Sequence, residues 1–440
     1  MIIFEDELWR HFATLAQARP VFDLRAGALT LRERVTAMAL DSVGVMGLAR
    51  PHLMGCFGPP DGLAAFLRNG DPVILVNGRA LDLNWLPNLL AEPLNTVYLA
   101  GASLLGARIS PGLASAVLFY LQGQQSFTAR DELLRFVRAR DLGPDEPPLL
   151  LRYPWDLINQ AGEQIVRDLP LLSRRLPLLT DGAEHVVVRG NQVYVSPAAH
   201  LDGPIVLDAR DGPIFIEAGA RIEPFSFIQG PTYIGAGSLI ASARIRAETA
   251  IGPICRVGGE VEASTIQGFS NKHHDGFLGH SWLGEWVNIG AMTTNSDLKN
   301  NYGSVRVNLE GVGQFDSGVI KLGVFLADHV KLGIGLHLNG GTMIGTGSNI
   351  FGVHNAPKQV PPFTWGGDVF REYRIDSMIS VTRTVMGRRK QTLTPAYETL
   401  LRSVFELTRP ARELVIPIAT TVSPAAELAL ARAEQEAIGG

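Results

Sequence analysis

One aliphatic residue recurs at every sixth position through much of the second half of the chain. A first run slips by one residue after position 240, and a second run keeps the period throughout. The residues are Ile216, Ile222, Ile228, Ile234, Ile240, Ile245, Ile251 and Val257, then Leu326, Leu332, Leu338, Ile344 and Ile350. Neither the period of 2.0 of an amphipathic strand nor the period of 3.6 of a helix explains this spacing. A coil of three short faces explains it, because each aliphatic residue then points into a narrow prism and stacked coils satisfy one another's backbone groups.

The repeat therefore predicts a left-handed parallel β-helix of hexapeptide units over residues 191–375, with small residues at the fifth position of each unit filling the interior. Residues 376–440 lack the repeat and are rich in Leu, Ala and Glu. Segments 394–408 and 424–438 are predicted to be helices of a C-terminal tail that packs on the solenoid or on a neighbouring subunit.

Residues 1–190 alternate apolar stretches with segments of helical pattern. The stretches are 43–46, 73–76 and 96–99, and the helical segments are 61–69, 111–122, 128–140 and 156–168. This alternation predicts an α/β, Rossmann-like N-terminal domain whose last part, 144–190, is a linker to the solenoid. Thr30 and Glu33 form a capping-box pattern that opens a helix, so residues 25–27 are predicted to be a strand-to-helix loop.

The charge balance and the cysteine content exclude several classes of protein. Lys and Arg together number 39 against 43 Asp and Glu, which gives no support for nucleic-acid or anionic-membrane binding. Cys56 and Cys255 are too few for a disulfide framework or a thiolate metal site. The N-terminus lacks a basic segment before an apolar run, and no apolar run approaches the roughly 18 residues of a membrane span. We expect a soluble cytoplasmic protein with no metal site in the solenoid.

A polar cluster separates the two runs of hexads. Segment 270–280 contains Lys272 and three of the ten histidines, His273, His274 and His280, and it is followed by Asn288 and by segment 299–302. Polar groups inside an aliphatic solenoid cost free energy unless they are hydrogen-bonded or used for function. This cluster is therefore the best candidate for a site, in which we expect His273 and His280 to be orienting or surface residues.

The hexads and this cluster resemble the acetyltransferase domain of the bifunctional N-acetylglucosamine-1-phosphate uridyltransferase and glucosamine-1-phosphate acetyltransferase family. The whole chain more closely resembles the alternative bacterial branch of that family, the sugar nucleotidyltransferases with a β-helix acyltransferase domain. The most specific stretches are 19–27, 29–33, 270–279 and 299–302. The resemblance implies a homotrimer that transfers an acetyl or other acyl group from coenzyme A (acetyl-CoA) to an amino sugar, present as its phosphate or as a nucleotide sugar.

The resemblance also implies roles for individual residues. The family has its general base shortly before a Leu-Gly pair, and counting back from Leu278-Gly279 places His274 at that position. A histidine, whose unperturbed pKa is about 6.5, is suited to remove a proton from a sugar amine. Asn288 would contact the sugar, and Arg246 would bind the substrate phosphate. Asn301 and Tyr302 would line the same pocket.

Two departures from the family pattern leave the acceptor open. The family carries a phosphate-binding lysine pair after Glu262, where this chain reads Ala263-Ser264-Thr265, so Lys272 is the candidate to hold the phosphate instead. The family's pocket tyrosine is Phe277 here, which removes one hydroxyl.

The N-terminal domain departs further from the family. Sugar nucleotidyltransferases cradle a triphosphate with a Gly-rich loop and hold Mg²⁺ with aspartates, and this chain has no such loop. Arg25 and Gly27 are its nearest counterpart, and Asn77 stands where an aspartate would ligate the metal. Nucleotide transfer with Mg²⁺, a retained scaffold and a ligand-sensing role are all open for this domain.

Other interpretations remain beside these. His274 could be a structural histidine, Arg246 an outward charge, Arg25 an internal ion pair and segment 299–302 a solvated loop. The whole protein could be chiefly a nucleotidyltransferase with a trimerising β-helix, or a noncatalytic sugar-nucleotide-binding scaffold. A γ-carbonic-anhydrase-like zinc site is a further alternative, because Leu278-Gly279-His280 resembles its motif, although Glu285 stands where a second histidine is needed.

Overall fold

The computed structural model of the chain describes residues 1–39, 44–58, 70–81, 83–114, 137–143, 150–180 and 185–416. These residues form an N-terminal α/β domain, a three-sided left-handed parallel β-helix and a group of C-terminal helices. The predicted fold class is confirmed. Within the described part of the chain, no helix is both long enough and apolar enough to cross a membrane.

The β-helix has three faces, here named A, B and C in the order in which each coil visits them. Face A is a nine-stranded parallel sheet: Val193–Val195, Ile214–Ile216, Thr232–Ile234, Thr249–Ile251, Thr265–Gly268, Trp282–Glu285, Phe325–Leu326, Met343–Ile344 and Gln359–Val360. Face B contains His200–Leu201, Arg221–Ile222, Asn271–Lys272, Asn288–Ile289, Lys331–Leu332, Asn349–Ile350 and Thr364–Gly366. Face C contains Val186–Arg189, Ile205–Asp208, Phe227–Gln229, Phe277–Gly279, Thr294–Asn295 and His337–Leu338. The strands Leu239–Ile245 and Arg256–Glu262 bend around the corner from B to C and belong to both faces.

The hexad residues point inward, as the repeat predicts. All thirteen belong to one continuous apolar core and are at most 3% exposed. The small residues predicted at the fifth position are buried too, and several carry hydroxyls that bond the backbone. Ser270 is an example: its hydroxyl accepts a hydrogen bond from the Val287 amide (2.9 Å) and lies 2.8 Å from the Gly284 carbonyl oxygen. Each such hydroxyl joins one coil to the next at a corner, where the sheets supply no ladder bonds.

The N-terminal domain is built on a six-stranded mixed sheet. In spatial order its strands are Met46–Leu48, Ile2–Phe4, Val73–Asn77, Ser103–Ile109, Thr96–Ala100 and Arg138–Asp141. Its short α-helices are Ala13–Ala16, Leu31–Met38, Met54–Phe57, Leu86–Ala91, Asp156–Asn159, Ala161–Arg167 and Leu169–Leu172. The capping box of Thr30 and Glu33 is present at the start of Leu31–Met38.

Two sequence predictions in this domain are wrong where the structure describes it. Residues 25–27, predicted as a strand-to-helix loop, begin with the strand Arg25–Ala26, which pairs antiparallel with Leu29–Thr30 and forms a tight hairpin before the helix. Residues 138–140, predicted as the end of a helix, lie in the strand Arg138–Asp141, which pairs in parallel with Thr96–Ala100. All four of its residues are exposed at the edge of the sheet, so the polar residues that suggested the outer side of a helix form an outer strand instead. The predicted helix 61–69 and most of 111–122 and 128–140 lie outside the described residues; residues 111–114 are helical.

The N-terminal domain covers face A of the solenoid. The outward side of this face carries large aromatic residues, each one position before an inward aliphatic residue, and all are at most 5% exposed: Phe215, Tyr233, Trp282 and Phe325. Trp282 and Phe325 share an apolar cluster with Phe12 and Leu15 of the N-terminal domain. The hairpin of Arg306–Leu309 and Gly313–Asp316, which leaves the solenoid between faces C and A, packs into the same cluster.

The C-terminal helices Ile375–Arg388, Pro395–Leu407 and Arg409–Glu413 close the far end of the prism. The predicted helix 394–408 is thereby confirmed, whereas the predicted helix 424–438 lies outside the described residues. Leu401 and Val404 pack with Leu53 of the N-terminal domain and with Phe363 of the last coil. The Tyr397 hydroxyl lies 2.8 Å from Nε2 of His329 at the corner between faces A and B. None of these contacts involves the corner between faces B and C.

Candidate functional site

The structure divides the predicted site residues between two corners of the prism. Lys272 and His274 lie at the corner between faces B and C, and Asn288 lies on face B beside it. Arg246, Asn301 and Tyr302 lie at the corner between faces C and A, on segments that follow face C. Within one chain, the two groups therefore do not form one pocket.

His274 stands in the turn between Asn271–Lys272 and Phe277–Gly279, and its side chain is exposed. The ring of His273 packs edge-on against it, with centroids 5.0 Å apart. The Nδ1 atom of His273 is buried and has no hydrogen-bond partner among the described residues. Burial, followed by the charges of His274 and Arg256, lowers the pKa of His273. The turn thus presents one solvent-accessible imidazole and one neutral, half-buried imidazole.

Lys272 occupies an inward position of face B, in register with the core residue Val257. It is 2% exposed, and its ammonium donates hydrogen bonds to the carbonyl oxygens of Gly258 (2.9 Å) and His274 (2.5 Å). Burial lowers its pKa to about 8. This placement makes Lys272 a support for the His274 turn, and it gives no basis for contact between Lys272 and a substrate phosphate.

Asn288 is exposed on the outer side of face B, next to Asn271 of the preceding coil. The Asn271 amide donates to the Asn288 side-chain oxygen (3.2 Å), and the Asn271 side-chain oxygen accepts from the guanidinium of Arg389 (2.5 Å). Arg389 follows the helix Ile375–Arg388, so the C-terminal segment contributes a cation to this face. Arg389 could not be identified as a neighbour of Asn271 from the sequence, because their proximity depends on the return of the C-terminal segment along the solenoid.

Arg246 is partly exposed and pairs with Glu260 of the next coil (Nε to Oε1, 3.1 Å), which Arg244 also contacts. Tyr302 is 69% exposed, and the Asn301 side-chain oxygen accepts from the Gly303 amide within its own loop. These three residues thus have local partners or face solvent, and the structure of one chain leaves their predicted substrate contacts untested.

An imidazole–carboxylate pair lies at this second corner. Nδ1 of His280 is 2.7 Å from Oδ2 of Asp297, and both side chains are about 85% buried. Burial alone would raise the pKa of Asp297, but the hydrogen bond and charge of His280 and the charge of Lys321 hold it below its usual value. Asp297 fixes the ring of His280, a contact that the sequence spacing of the two residues did not reveal. The expectation that His280 is an orienting or surface residue stays a prediction.

The N-terminal residues proposed for nucleotide binding are closed off by internal contacts. Arg25 is 3% exposed; its guanidinium bonds the carbonyl oxygens of Ala28 and Gln267 and lies 3.4 Å from a Glu33 oxygen. Gly27 has a φ of +79°, and a Cβ there would lie 2.5 Å from the Gln164 side chain. In this conformation neither residue offers a surface to a phosphate.

Asn77 is also fully buried. Its amide donates to Asp6 (2.9 Å) and to the Leu104 carbonyl (2.7 Å), and its oxygen accepts from the Arg79 amide. The Asp6 carboxylate is paired with Arg79 (2.6 Å). Mg²⁺ requires oxygen ligands that are free to coordinate it, and here the nearest carboxylate is neutralised by a guanidinium. The residues around Asn77 therefore do not fit a magnesium ion.

His280 and Glu285, the two positions compared with a zinc site, each form an ion pair or hydrogen bond with another side chain. His280 is held by Asp297, and Glu285 pairs with Arg19 (3.0 Å). In the parts of the chain that the structure describes, no group of three or more His, Cys, Asp or Glu side chains is arranged to hold a metal ion.

The fold and the histidine-bearing turn together define the class of protein: a hexapeptide-repeat β-helix joined to an α/β domain. Residues 1–176 match the family model described as sugar nucleotidyl transferase. The bifunctional protein GlmU of Acidithiobacillus ferrooxidans is 32% identical over 163 residues, which are 36% of this chain and 30% of that protein. GlmU of Jannaschia sp. is 30% identical over 199 residues, which are 44% of this chain and 41% of that protein. The resemblance to the bifunctional family is confirmed, and the chain spans less than half the length of these relatives.

A solved structure with likeness to the solenoid is that of AntD, an N-acyltransferase from Bacillus cereus in complex with dTDP-4-amino-4,6-dideoxyglucose and coenzyme A. It is 14% identical, covers 47% of this chain and 92% of its own, and has a TM-score of 0.20. The strand pairing of the chain itself defines the solenoid.

Proposed function

We propose that this protein is a transferase that moves an acyl group from coenzyme A to the amine of an amino sugar, as its phosphate or as a nucleotide sugar. The observation that carries the proposal is the exposed imidazole of His274 at the corner between faces B and C, in a turn whose backbone carbonyl accepts a hydrogen bond from the buried ammonium of Lys272. The sequence similarity to bifunctional transferases supports it.

In the proposed reaction His274 acts as the general base. The amine nitrogen of the sugar attacks the carbonyl carbon of the thioester, and the imidazole takes the proton that this nitrogen loses. The tetrahedral oxyanion then collapses, the carbon–sulfur bond breaks, and the thiolate of coenzyme A leaves and accepts a proton. A buried charge network such as that of Lys272 limits movement of the turn, which keeps the imidazole in place during the transfer.

We further propose that the active form is a homotrimer with sites between subunits. Three large apolar residues project along the corner between faces B and C: Phe225 (80% exposed), Met292 (64%) and Ile334 (79%). Such a row on an otherwise polar surface is typical of a protein interface. Arg246, Asn301 and Tyr302 lie at another corner of the same prism. In the trimer, these residues of one copy would therefore lie next to His274 of a neighbouring copy.

The test uses the full-length protein, acetyl-CoA and a panel of amino sugar phosphates and nucleotide-linked amino sugars, with release of the thiol as the readout. We expect His274→Ala to reduce kcat by about 100-fold or more, the usual contribution of a general base. His200→Ala is the matched control, because His200 is an exposed histidine of face B four coils before Asn271–Lys272, and it should retain most of the activity. An active His274→Ala variant, or an equal loss of activity in His200→Ala, would remove His274 from the mechanism.

The oligomeric state is tested separately by light scattering of the wild type and of Ile334→Asp. We expect a trimer that dissociates when a charge enters the apolar row, because an unpaired charge is costly to bury. A wild-type monomer at micromolar concentration would contradict the proposed trimer.

A second candidate function, transfer of a nucleotide to a sugar 1-phosphate, is favoured by the family match over residues 1–176. The internal contacts of Arg25 and Asn77 oppose it. Pyrophosphate release from a nucleoside triphosphate, a sugar 1-phosphate and Mg²⁺ measures this activity directly. We expect none above background, in which case the N-terminal domain serves to cover face A.

A further inference from the structure

A column of polar residues runs along the outer side of face B toward His274. In successive coils the strand register aligns Arg256 with Asn271 and Asn271 with Asn288. Adjacent strands lie about 4.8 Å apart, so the three side chains are immediate neighbours. Arg389, from the C-terminal segment, is bonded to Asn271 in the middle of this column.

The two arginines of this group have no acidic partner among the residues that the structure describes. No carboxylate of these residues lies within 4.0 Å of Arg256 or Arg389, and the guanidinium of Arg389 is hydrogen-bonded to the neutral side-chain oxygen of Asn271. Burial and the nearby charge of Arg256 lower the pKa of Arg389. Two guanidinium groups held close together without a counter-charge are stabilised by an anion.

The imidazole of His273 completes the group. Its Nδ1 atom is buried without a hydrogen-bond partner among the described residues, and the charges of Arg256 and Arg389 both act on this ring. Glu223 is the acidic neighbour that acts in the opposite direction on the same imidazole. A ring nitrogen with no hydrogen-bond partner among the described residues is therefore near the charges of both arginines, on a ring that contacts the exposed His274.

We propose that Arg256, Asn271 and Arg389 form a binding site for a phosphoryl group carried by one of the two substrates. The proposal rests on the acyl transfer assigned to His274 and adds to it the place where a phosphate is held. The two arginines would take the place of the lysine pair that is missing after Glu262. The C-terminal segment, which carries Arg389, would then contact a substrate directly. The sequence did not suggest either arginine as a site residue, because neither belongs to the polar segment 270–280 and both are separated from it along the chain.

The first experiment measures the binding of inorganic phosphate to the full-length protein, at constant ionic strength, by ³¹P NMR titration or calorimetry. Arg389→Ala and Arg256→Ala should each raise the Kd by about 10-fold or more, since each removes a charge-assisted hydrogen bond. Arg389→Lys should recover only part of the affinity, because an ammonium cannot replace a planar guanidinium fork. Chloride in place of phosphate measures the nonspecific effect of an anion.

Arg221→Ala is the matched control. Arg221 projects from the same outer column of face B, two coils before Arg256, but it is paired with Asp202. Its replacement should leave the Kd for phosphate unchanged. If the wild type does not bind phosphate, or if Arg221→Ala weakens binding as much as Arg389→Ala does, the proposed site does not exist.

The second experiment identifies the substrate that carries the phosphoryl group. In Arg389→Ala, a KM raised for the phosphorylated amino sugar but not for acetyl-CoA assigns the site to the acceptor. A KM raised for acetyl-CoA but not for the amino sugar assigns the site to the donor. In that case the KM for the acetyl thioester of 3′-dephospho-CoA should be the same in the wild type and in Arg389→Ala. Phosphate binding does not require turnover, so it can succeed where acyl transfer fails, and the two proposals are distinguished.

Discussion

The ammonium of Lys272 donates a hydrogen bond to the carbonyl oxygen of His274 from a position inside the prism. The register places Lys272 at the level where Val257 and other coils have an aliphatic side chain. A cation at such a position is costly unless it is hydrogen-bonded, and here it links two coils through the carbonyl groups of Gly258 and His274. The conformation of the exposed histidine turn therefore depends on a charge in the core.

Replacement of this lysine should change how stability depends on pH. The folded-state pKa of Lys272 is about 8, below the 10.5 of an unburied lysine, so the buried charge opposes folding below pH 8. As the pH rises from 8 to 10.5, the folded form loses this proton before the unfolded form does, and the wild type gains stability. Lys272→Met should lack this gain. Denaturant unfolding of both proteins at pH 7 and pH 10 measures the difference; a constant difference would contradict the assigned pKa. Lys331, whose pKa burial lowers to about 7, is common to both proteins.

The solenoid could be predicted from the sequence because its constraint is local. One aliphatic residue every six positions is visible without knowledge of the neighbouring coil, and every hexad residue is found in the core. The hydroxyl of Ser270 shows the limit of this reading. The pattern predicted a small residue at that position, but its hydrogen bond to Val287 joins residues 17 apart and becomes apparent only in the stacked coils.

The covered face could have been anticipated in part. Phe215, Tyr233, Trp282 and Phe325 each precede an inward residue and so point outward, and a row of outward aromatic residues indicates a buried surface. What covers them could not be read, because the covering residues belong to other parts of the chain: Phe215 and Tyr233 pack with Leu172 and Leu176, whereas Trp282 and Phe325 pack with Phe12 and Leu15. For the same reason the sequence offered Arg25 as a phosphate ligand, whereas its backbone amide and side chain are bound to Gln267 of face A.

Gln267 should be important for the attachment of the N-terminal domain to the solenoid. Its side-chain oxygen accepts from the Arg25 amide (2.8 Å), and its amide donates to the Asp23 carbonyl (2.8 Å). Gln267→Leu keeps the volume but leaves both buried backbone groups unpaired, at a cost of about 1 to 3 kcal/mol each. We expect a total loss of about 2 to 6 kcal/mol in guanidinium unfolding. Gln229→Leu, which alters a half-buried glutamine whose hydrogen bond to Asp211 is exposed to solvent, is the control and should change stability little.

Arg19 should be the most sensitive residue at the same interface. Its guanidinium makes two bonds to Asp328 (2.9 and 3.0 Å) and pairs with Glu285 (3.0 Å), all largely buried. Arg19→Met leaves two adjacent carboxylates without a cation, which costs about 3 to 5 kcal/mol at neutral pH. Arg221→Met, at an exposed pair, should cost less than about 1 kcal/mol.

The pH dependence of the Arg19→Met defect separates charge from packing. Burial, together with the charge of Glu285, already raises the pKa of Asp328 although Arg19 opposes this, and removal of Arg19 should raise it further. Below the raised pKa the folded variant holds a proton that the unfolded chain, with its pKa of 3.8, has released. The defect should therefore become smaller as the pH falls from 7 toward 4. A defect of equal size at pH 7 and pH 5 would show that lost packing, and not the unpaired carboxylates, is its cause.

The hydroxyl at the fifth hexad position makes a last testable contribution to the solenoid. Ser270 is 1% exposed, and its oxygen is the only acceptor that the structure gives the Val287 amide. Ser270→Ala keeps the small volume that the interior requires but leaves this amide without a partner, so we expect a loss of about 1 to 3 kcal/mol. Ser296→Ala removes an exposed hydroxyl that bonds only within its own loop, and it should be nearly neutral. Equal and small effects in thermal unfolding would mean that the fifth position selects for size alone, whereas the expected difference would show that the hydroxyls join successive coils.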